Sequence, residues 1–421
     1  MTRSATLVGL TLLTIACGSN RPPASSVPPT EDGFVVVGAT VFDGERFVQG
    51  NVHVRGTTIA GIVPAPPPGV EVVDGKGKTL LPGLIDGHIH IGEKVEHLER
   101  ALGFGVTTVI DLFGPPELIG KLRAEDLASA NRASLFGAGV LATAPKGHGT
   151  EYGVPIPTIA RPEDAIRFVA ARKAEGSDLL KIVYDVANDT PGTTPMPSLD
   201  VPTVRALVKA GHDQGLVVAI HTGGCKDIEQ VVDSGADIIA HGCPASEGSK
   251  IASSLAANHV YFNPTLAVQL RPCGMEYWIP LVRDPEIAQR LTDEERERLG
   301  KDRNDHDKTC SGGRLRLVGD AAKIGVKLIA GPDSPNRRIP VGASLLAELA
   351  LFREAGVSVE QILASTTSHP ADAYKITDRG RIAAGKRADL LLVEGDARTS
   401  LDAVFHTRRV WKAGTLAWRR D

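Results

Sequence analysis

The middle of the chain alternates between short apolar segments and longer amphipathic stretches, and this alternation limits the folds open to it. The apolar segments have the length of buried strands, and several of the stretches between them end on glycine, as helices often do. The strand candidates are GLIDGHIHI, VTTVIDLF, SLFGAGVLAT, DLLKIVYD, LVVAIHT, ADIIAHG, VYFNPTL and VKLIAGPDS. Eight strands alternating with helices favour a parallel (β/α)8 TIM-like barrel. An open doubly wound sheet is the alternative, although no GxGxxG motif follows the first strand to support nucleotide binding.

The regions on either side of this alternation have a different texture. Residues 33–82 contain short β-like runs separated by glycine and charged turns, and residues 379–421 return to that pattern. We therefore expect an α/β protein with a barrel over residues 83–378. A small β-sandwich domain is expected to be assembled from both ends of the chain.

The first residues of the chain are predicted to lie outside this fold. The twelve apolar or small residues 5–16 are too few to span a bilayer but suit the core of a signal peptide. Residues 1–17 end in LTIAC and resemble a bacterial lipoprotein signal, which implies lipidation of Cys17; an ordinary export signal is the alternative. Residues 18–32, rich in proline and serine, are expected to be a flexible tether. This resemblance implies an exported protein of the bacterial cell envelope, anchored by its lipid to the outer membrane and facing the periplasm.

The charge and the cysteine content argue against several kinds of binding partner and site. A formal net charge of −3 and 4% aromatic residues give no basis for nucleic-acid binding. The cysteines form no CxxC pair, which argues against a zinc ribbon or a thioredoxin motif. Cys225 and Cys243 are interpreted as buried free thiols, whereas a disulfide between Cys273 and Cys310 is left open.

Histidines collect at the ends of several strand candidates. His88 and His90 lie one residue apart on the first strand, so their side chains face the same way. His221, His241 and Asp333 each stand at the carboxyl end of a later apolar segment. These ends converge at one mouth in a barrel, and imidazole with carboxylate suits zinc or a similar divalent ion. A single histidine of this kind is more often a hydrogen-bonded core residue, so the prediction depends on the whole set.

Lys181 stands among apolar residues in DLLKIVYD, where a lone ammonium is costly to bury. A buried salt bridge with Asp111 or Asp185 is one explanation. The other is that the neutral amine takes up carbon dioxide. The resulting carbamate is an anionic oxygen ligand that can bridge two metal ions.

Five segments in one order, PGLIDGHIH, DLLKIVYD, VAIHT, IIAHG and AGPDS, resemble the amidohydrolase superfamily, especially its imidazolonepropionase-like and prolidase-like members. The resemblance covers residues 33–421 and implies one or two divalent ions, zinc foremost. The implied ligands are His88 and His90 for the first metal, His221 and His241 for the second, and carbamylated Lys181 between them. Asp333 is implied to bind the first metal and to be the catalytic acid–base. Pro332 stands where threonine is commoner, a departure that affects the loop and leaves the carboxylate in place.

The resemblance also implies a reaction. Two cations would acidify a bridging water to hydroxide, and Asp333 would take its proton and return it to the leaving nitrogen. We expect hydrolysis of a C–N amide bond in a small molecule such as a dipeptide or an N-acyl amino acid. A lactonase or other ester hydrolase with the same centre, and a non-catalytic surface lipoprotein, are the alternatives. The membrane is expected as a partner through the lipid only, and a homo-oligomer is compatible with the sequence.

Further side chains are candidate substrate contacts. His148 in KGHGTEYG resembles a histidine that the imidazolonepropionase-like group places beside the substrate carbonyl. Tyr152 and Tyr184 can line the same mouth. Arg338, or its neighbour Arg337, can clamp a substrate carboxylate. Each has a plainer explanation as a solvent-exposed or packed residue.

Overall fold

A computed structural model describes residues 33–187, 196–244, 248–271, 273, 278–301 and 308–420, without the side chains of residues 248–249, 278–280 and 308–310. The strands in these ranges are β1 (Gly33–Val37), β2 (Thr40–Phe42), β3 (Phe47–Val48), β4 (Asn51–Arg55), β5 (Thr58–Val63), β6 (Glu71–Asp74), β7 (Lys78–Pro82), β8 (Leu84–Ile89), β9 (Val106–Asp111), β10 (Ser134–Gly137), β11 (Leu179–Tyr184), β12 (Val217–Thr222), β13 (Ile238–Ala240), β14 (Tyr261–Asn263), β15 (Leu390–Glu394), β16 (Thr407–Lys412) and β17 (Thr415–Arg419). The α-helices are α1 (Glu96–Gly103), α2 (Pro116–Ala124), α3 (Ala165–Ala174), α4 (Val201–Asp213), α5 (Cys225–Val231), α6 (Gly248–Ala257), α7 (Leu266–Gln269), α8 (Trp278–Arg283), α9 (Pro285–Ala288), α10 (Asp293–Gly300), α11 (Lys308–Lys323), α12 (Ala343–Glu354), α13 (Val359–Ser365) and α14 (Ser368–Ala373).

Strands from both ends of the chain share one β-rich unit. One sheet has the order β5-β4-β1-β6, and a second has the order β17-β16-β15-β7-β2-β3. In the second sheet β15 lies antiparallel to β7, with Leu390 opposite Pro82. The buried rings of Phe34 and Trp411, whose centroids are 5.0 Å apart, stack within the apolar core of this unit. The domain boundaries given above remain predictions.

The alternating region forms parallel sheets with the orders β10-β9-β8 and β11-β12-β13-β14. Seven of the eight predicted segments contain a strand, and the helices predicted between them are present as α3, α4 and α5. The eighth segment, VKLIAGPDS, makes only isolated bridges: Leu328 pairs with Phe262 of β14, and Ser334 pairs with Ile89 of β8. The structure is therefore an α/β protein in which this segment lies between the two sheets.

Two glycines permit the close approach of β8 to this segment. A methyl group on Gly87 would overlap the side chain of Ile329, and one on Gly331 would lie 2.5 Å from the backbone nitrogen of His88. The amide of Gly87 donates to the carbonyl of Ala330 at 2.9 Å. The absence of a side chain at both positions thus brings the carboxyl end of the segment against the strand that carries His88.

Helices cover the outer faces of the sheets. Asp200 caps the start of α4, because its side chain accepts a hydrogen bond from the amide of Thr203. The helix packs against β11 and β12, with Val204 and Leu207 buried. In the described part of the chain, no helix is both long enough and apolar enough to cross a membrane.

The cysteines differ from the sequence-based expectation. Cys225 and Cys243 are not free thiols but form a disulfide. The two cysteines follow β12 and β13, which are neighbours in the sheet, so the segments after both strands lie side by side. Residue spacing alone does not reveal this proximity. Cys273 is also disulfide-bonded, and the side chain of Cys310 lies outside the described residues.

Candidate metal centre

Imidazole and carboxylate groups converge where β8, β12, β13 and the VKLIAGPDS segment end. Ligand atoms of His88, His241 and Asp333 all lie within 4.8 Å of one another. The ring centroid of His88 is 5.2 Å from that of His90, and those of His221 and His241 are 4.3 Å apart. The structure therefore brings together the four predicted histidines and Asp333. Nitrogen and oxygen donors in such a cluster fit a divalent cation.

Asp333 sits on a tightly constrained turn beside the first two histidines. Its backbone has φ of 62°, and its amide donates to the carbonyl of His88 at 3.0 Å. Its Oδ1 lies 3.0 Å from Nε2 of His90 and 3.6 Å from Nε2 of His88. Burial would raise the pKa of Asp333, but these two histidines hold the pKa far below its ordinary value. The carboxylate is therefore charged at neutral pH.

His88 is oriented by Asn263 at the end of β14. Nδ1 of His88 lies 2.7 Å from Oδ1 of Asn263, while Nδ2 of Asn263 donates to the carbonyl of Ile329 at 2.9 Å. With its amide nitrogen committed to a carbonyl, Asn263 can only accept from His88, so the proton of a neutral ring is assigned to Nδ1. Burial and the charge of Lys181 lower the pKa of His88 well below its ordinary value. Nε2 is thus left unprotonated, as a metal ligand must be.

His241 is oriented in a similar way by the next residues of the chain. Its Nδ1 lies 2.8 Å from Oγ1 of Thr265, and burial lowers the pKa of His241 to about 3. Glu348 in turn stabilises the turn at Thr265. Its buried carboxyl accepts hydrogen bonds from the amides of Leu266 and Ala267 at 2.8 and 2.6 Å. Burial raises the pKa of Glu348 to about 8.

These supporting residues were not among the sequence-based candidates. Asn263 and Thr265 lie in the segment YFNPTL, and Glu348 interrupts the apolar helix ASLLAELALF. A carboxyl within an otherwise apolar helix was the available signal, since such a group needs hydrogen-bond partners when buried.

The ring of His90 lies between the carboxylates of Asp111 and Asp333. Nδ1 of His90 is 3.9 Å from Oδ1 of Asp111, and Asp111 accepts from the amides of Ile91 and Phe113 at 3.0 and 2.9 Å. Burial alone would lower the pKa of His90, but its contact with Asp333 outweighs burial and the pKa is raised. Asp111 is therefore committed to the backbone and to His90.

Lys181 points into the same interior without a hydrogen-bond partner. Its side chain is 2% exposed, and its Nζ has no acceptor. The salt bridges considered with Asp111 and Asp185 are thus not formed. Burial lowers the pKa of Lys181 to about 7, opposed by the charge of Asp333. Lys181 pairs with Ala219 of β12, two positions before His221, so the side chains of Lys181 and His221 lie on the same face of the sheet. The charge of Lys181 helps to lower the pKa values of His88, His221 and His241.

Two of the candidate substrate residues reach this cluster. The ring of His148 lies 4.8 Å from that of His221, and its Nδ1 is 2.7 Å from a carboxylate oxygen of Glu151. The ring of Tyr152, 60% exposed, is 5.9 Å from that of His148. Both residues therefore belong to the loop that borders His221.

The other candidates lie elsewhere. Tyr184 is three positions after Lys181 on β11, so it faces the opposite side of the sheet, where its buried hydroxyl donates to Gln230 at 2.6 Å. The guanidinium of Arg338 donates to the carbonyls of Leu299 and Lys301 at the end of α10. Arg337 is exposed. The structure does not bring Tyr184 to the histidines, and it places Arg338 against a helix terminus.

Known proteins share both the sequence pattern and the fold. An allantoinase of Solibacter usitatus is 25% identical over 419 residues, covering 87% of this chain and 86% of that protein. An N-acyl-D-aspartate deacylase of Alcaligenes xylosoxydans xylosoxydans is 35% identical over 116 residues, which span 21% of this chain and only 23% of the deacylase. A solved Xaa-Pro dipeptidase with bound methionine superposes with a TM-score of 0.71 at 21% identity, covering 92% of this chain and 100% of that one.

The family assignment follows from a further comparison. A sequence model described as the amidohydrolase family matches residues 79–416. That range includes every candidate ligand and both sheets of the alternating region. The chain belongs to the amidohydrolase family.

Proposed function

We propose that this protein is a metal-dependent amidohydrolase that cleaves the amide bond of a dipeptide or an N-acyl amino acid. The chain belongs to the amidohydrolase family, whose name denotes the hydrolysis of amide bonds. Two of the similar proteins have names that refer to an N-acyl amino acid and to a dipeptide, which supports a substrate of this size and type.

The observation that carries the proposal is the buried amine of Lys181, which has no hydrogen-bond partner and lies on the same face of the sheet as His221. An ammonium left in this position would be costly. We propose that Lys181 carries a carbamate. With Asp333 and the histidines, it would complete the ligand set for one or two divalent ions, which we propose to be zinc.

We also propose that the two parallel sheets form one (β/α)8 barrel. Their edges are linked on one side by the bridges of Leu328 and Ser334, and on the other by Ala142, which pairs with Ile182 of β11. The amide of Asp178 also donates to the carbonyl of Gly137 at 2.9 Å, between β10 and β11. The mouth of such a barrel is where the family resemblance expects substrate to enter.

The residues of the chain have distinct parts in the proposed reaction. Divalent ions, when bound, acidify water and polarise a substrate carbonyl. Asp333, whose Oδ1 lies 3.0 Å from Nε2 of His90, would accept the proton of the attacking water and return it to the leaving nitrogen. That return is needed because an amine anion is a poor leaving group. His148, which contacts Glu151 and lies beside His221, would donate a hydrogen bond to the substrate carbonyl.

The test is a substrate panel assayed with zinc-loaded protein. Dipeptides, N-acyl amino acids and lactones are compared, with Lys181→Ala as the matched variant. We expect cleavage of one of the amide classes by the wild type, and loss of both bound metal and activity in Lys181→Ala. Turnover of lactones alone would establish an ester hydrolase instead. Absence of turnover across the panel would favour a binding protein.

We further propose that the protein is exported and lipidated at Cys17, which lies outside the described residues. The proposal rests on the resemblance of residues 1–17 to a lipoprotein signal. Replacement Cys17→Ser should release the protein from the membrane fraction of cells. Unchanged membrane association of the variant would exclude this anchor.

A further inference from the structure

The Cys225–Cys243 disulfide lies immediately beyond two histidines of the metal centre. Cys225 is four residues after His221, and Cys243 is two residues after His241. The ring centroids of the two histidines are 4.3 Å apart. The cross-link thus closes the β12–α5–β13 unit at the end of the sheet where these side chains lie.

Backbone pairing between the two strands stops at the histidines. The register of β12 and β13 ends with His221 opposite Ala240, and the hydroxyl of Thr222 donates to the carbonyl of Ala240 at 3.1 Å. Beyond this point the disulfide joins the two segments covalently. It is therefore placed to fix the separation of the segments that follow the two ligands.

The backbone at His241 needs support from its surroundings. Its φ is 72°, in the left-handed region that residues other than glycine rarely adopt. The amides of His241 and Gly242 donate to the carbonyls of Asn263 and Pro264 at 2.8 and 3.1 Å, which holds this turn from the β14 side. Strained conformations persist where several contacts determine them together. The disulfide supplies the corresponding restraint from the β12 side.

We propose that Cys225 and Cys243 are positioning residues, whose disulfide holds His221 and His241 at the separation at which they bind metal. This inference rests on the proposed metal-dependent function. The apolar contacts of β12 and β13, with Ile220 and Ile239 fully buried, hold the strands together independently of the cross-link. Loss of the disulfide should therefore affect the ligands more than the fold.

The experiment compares the full-length wild type with the double variant Cys225→Ala/Cys243→Ala. Cys273→Ala is the matched control, because Cys273 belongs to a different disulfide. Each metal-free protein is titrated with cobalt(II) against a competing chelator, and its visible spectrum and melting temperature are recorded. We expect the Kd for cobalt(II) in the double variant to rise about 10- to 100-fold, as for other losses of ligand-orienting groups. Its spectrum should change as well, whereas Cys273→Ala keeps the wild-type Kd and spectrum.

A second arm avoids any dependence on how the double variant folds. Folded, metal-free Cys273→Ala protein is treated with a water-soluble phosphine, which takes up oxygen from water and leaves two thiols in place of the disulfide. Cys225 is partly exposed, so the reagent can reach it. After removal of the phosphine, the same rise in Kd is expected, and reoxidation should reverse it.

The results separate this inference from the proposed function. Wild-type Kd and spectrum in both the double variant and the reduced protein, together with a lower melting temperature, would show that the disulfide only stabilises the fold. The proposed function would survive that result. Failure of the oxidised wild type to bind cobalt(II) would overturn the proposed function, and this inference with it.

Discussion

Individual side chains in the centre are held by neighbours that the metal would not touch. Asn263 fixes the ring of His88, and Thr265 fixes that of His241. The contact with Asn263 selects the tautomer of His88 that leaves Nε2 free to bind a metal ion, whereas the contact with Thr265 orients the ring of His241. The support extends one step further for His241, because Glu348 holds the turn that carries Thr265.

The buried carboxyl of Glu348 gives a prediction about pH. Its pKa is raised to about 8 in the folded state, so the folded protein binds a proton that the unfolded chain has already released above about pH 4.5. Its contribution to stability is therefore present below pH 4.5 and is lost as the pH rises towards 8. The side chain in Glu348→Gln cannot ionise, so the variant does not lose stability in this way. Its free energy of unfolding in urea, relative to that of the wild type, should therefore increase from pH 5 to pH 8. An equal difference at both pH values would contradict the assigned pKa.

The ligand candidates could be predicted from the sequence, whereas their supports could not. His221, His241 and Asp333 each follow an apolar run, and the ends of parallel strands meet on one side of a sheet. Glu348 and Thr265 are 83 positions apart in the chain, so only the packing of α12 under the turn at Thr265 reveals their connection. Tyr184 does not lie beside the histidines as predicted, because side chains alternate along a strand and that of Tyr184 faces away from that of Lys181.

The segment VKLIAGPDS shows where prediction of secondary structure from the apolar pattern fails. Its apolar run predicts a strand, yet hydrogen bonding to β8 and β14 is confined to a few residues. The pairing of Cys225 with Cys243 was missed in a similar way. Both outcomes depend on which strands become neighbours, which spacing along the chain does not specify.

The contact between β8 and this segment can be tested by adding one methyl group. Gly87→Ala would drive a methyl into Ile329, a stiff β-branched side chain, and should destabilise the protein by about 1–3 kcal/mol through overpacking. Gly120→Ala is the matched control, since nothing lies within 4 Å of the added atom in α2. The control should stabilise the protein by up to about 1 kcal/mol. Equal effects of the two substitutions on the free energy of unfolding would contradict the observed packing.

A network of buried charged side chains joins the C-terminal strands to the alternating region. Asp126, which follows α2, accepts from Lys412 of β16 at 2.8 Å and from Arg387 at 2.6 Å. Arg387 also contacts Asp389 at 2.9 Å. Burial would raise the pKa of Asp126, but the two cations lower it below its ordinary value.

Removing the carboxylate of Asp126 should lower the free energy of unfolding. Asp126→Asn removes the carboxylate partner of the buried Lys412, whereas Arg387 keeps its contact with Asp389. We therefore expect a loss of about 3 kcal/mol in the free energy of unfolding at pH 7. Because the pKa of Asp126 is lowered on folding, its contribution is present above the unfolded pKa and disappears as the pH falls, so wild type and variant should converge in acid. Asp293→Asn, at a pair whose carboxylate is 96% exposed, is the control and should change stability by less than about 1 kcal/mol. A constant difference between wild type and Asp126→Asn down to pH 2 would contradict this assignment.

Asp333 is proposed to move the proton in a metal-dependent amide hydrolysis, and the substitution Asp333→Asn tests this role. The substitution keeps the size of the side chain and one oxygen donor but removes the group that accepts and returns a proton. Bound metal and turnover of an amide substrate are measured on the same preparations. We predict retention of most of the metal, with a fall in kcat of roughly a hundredfold or more, as for other positioned acid–base groups. Wild-type turnover by metal-loaded Asp333→Asn would show that another group moves the proton.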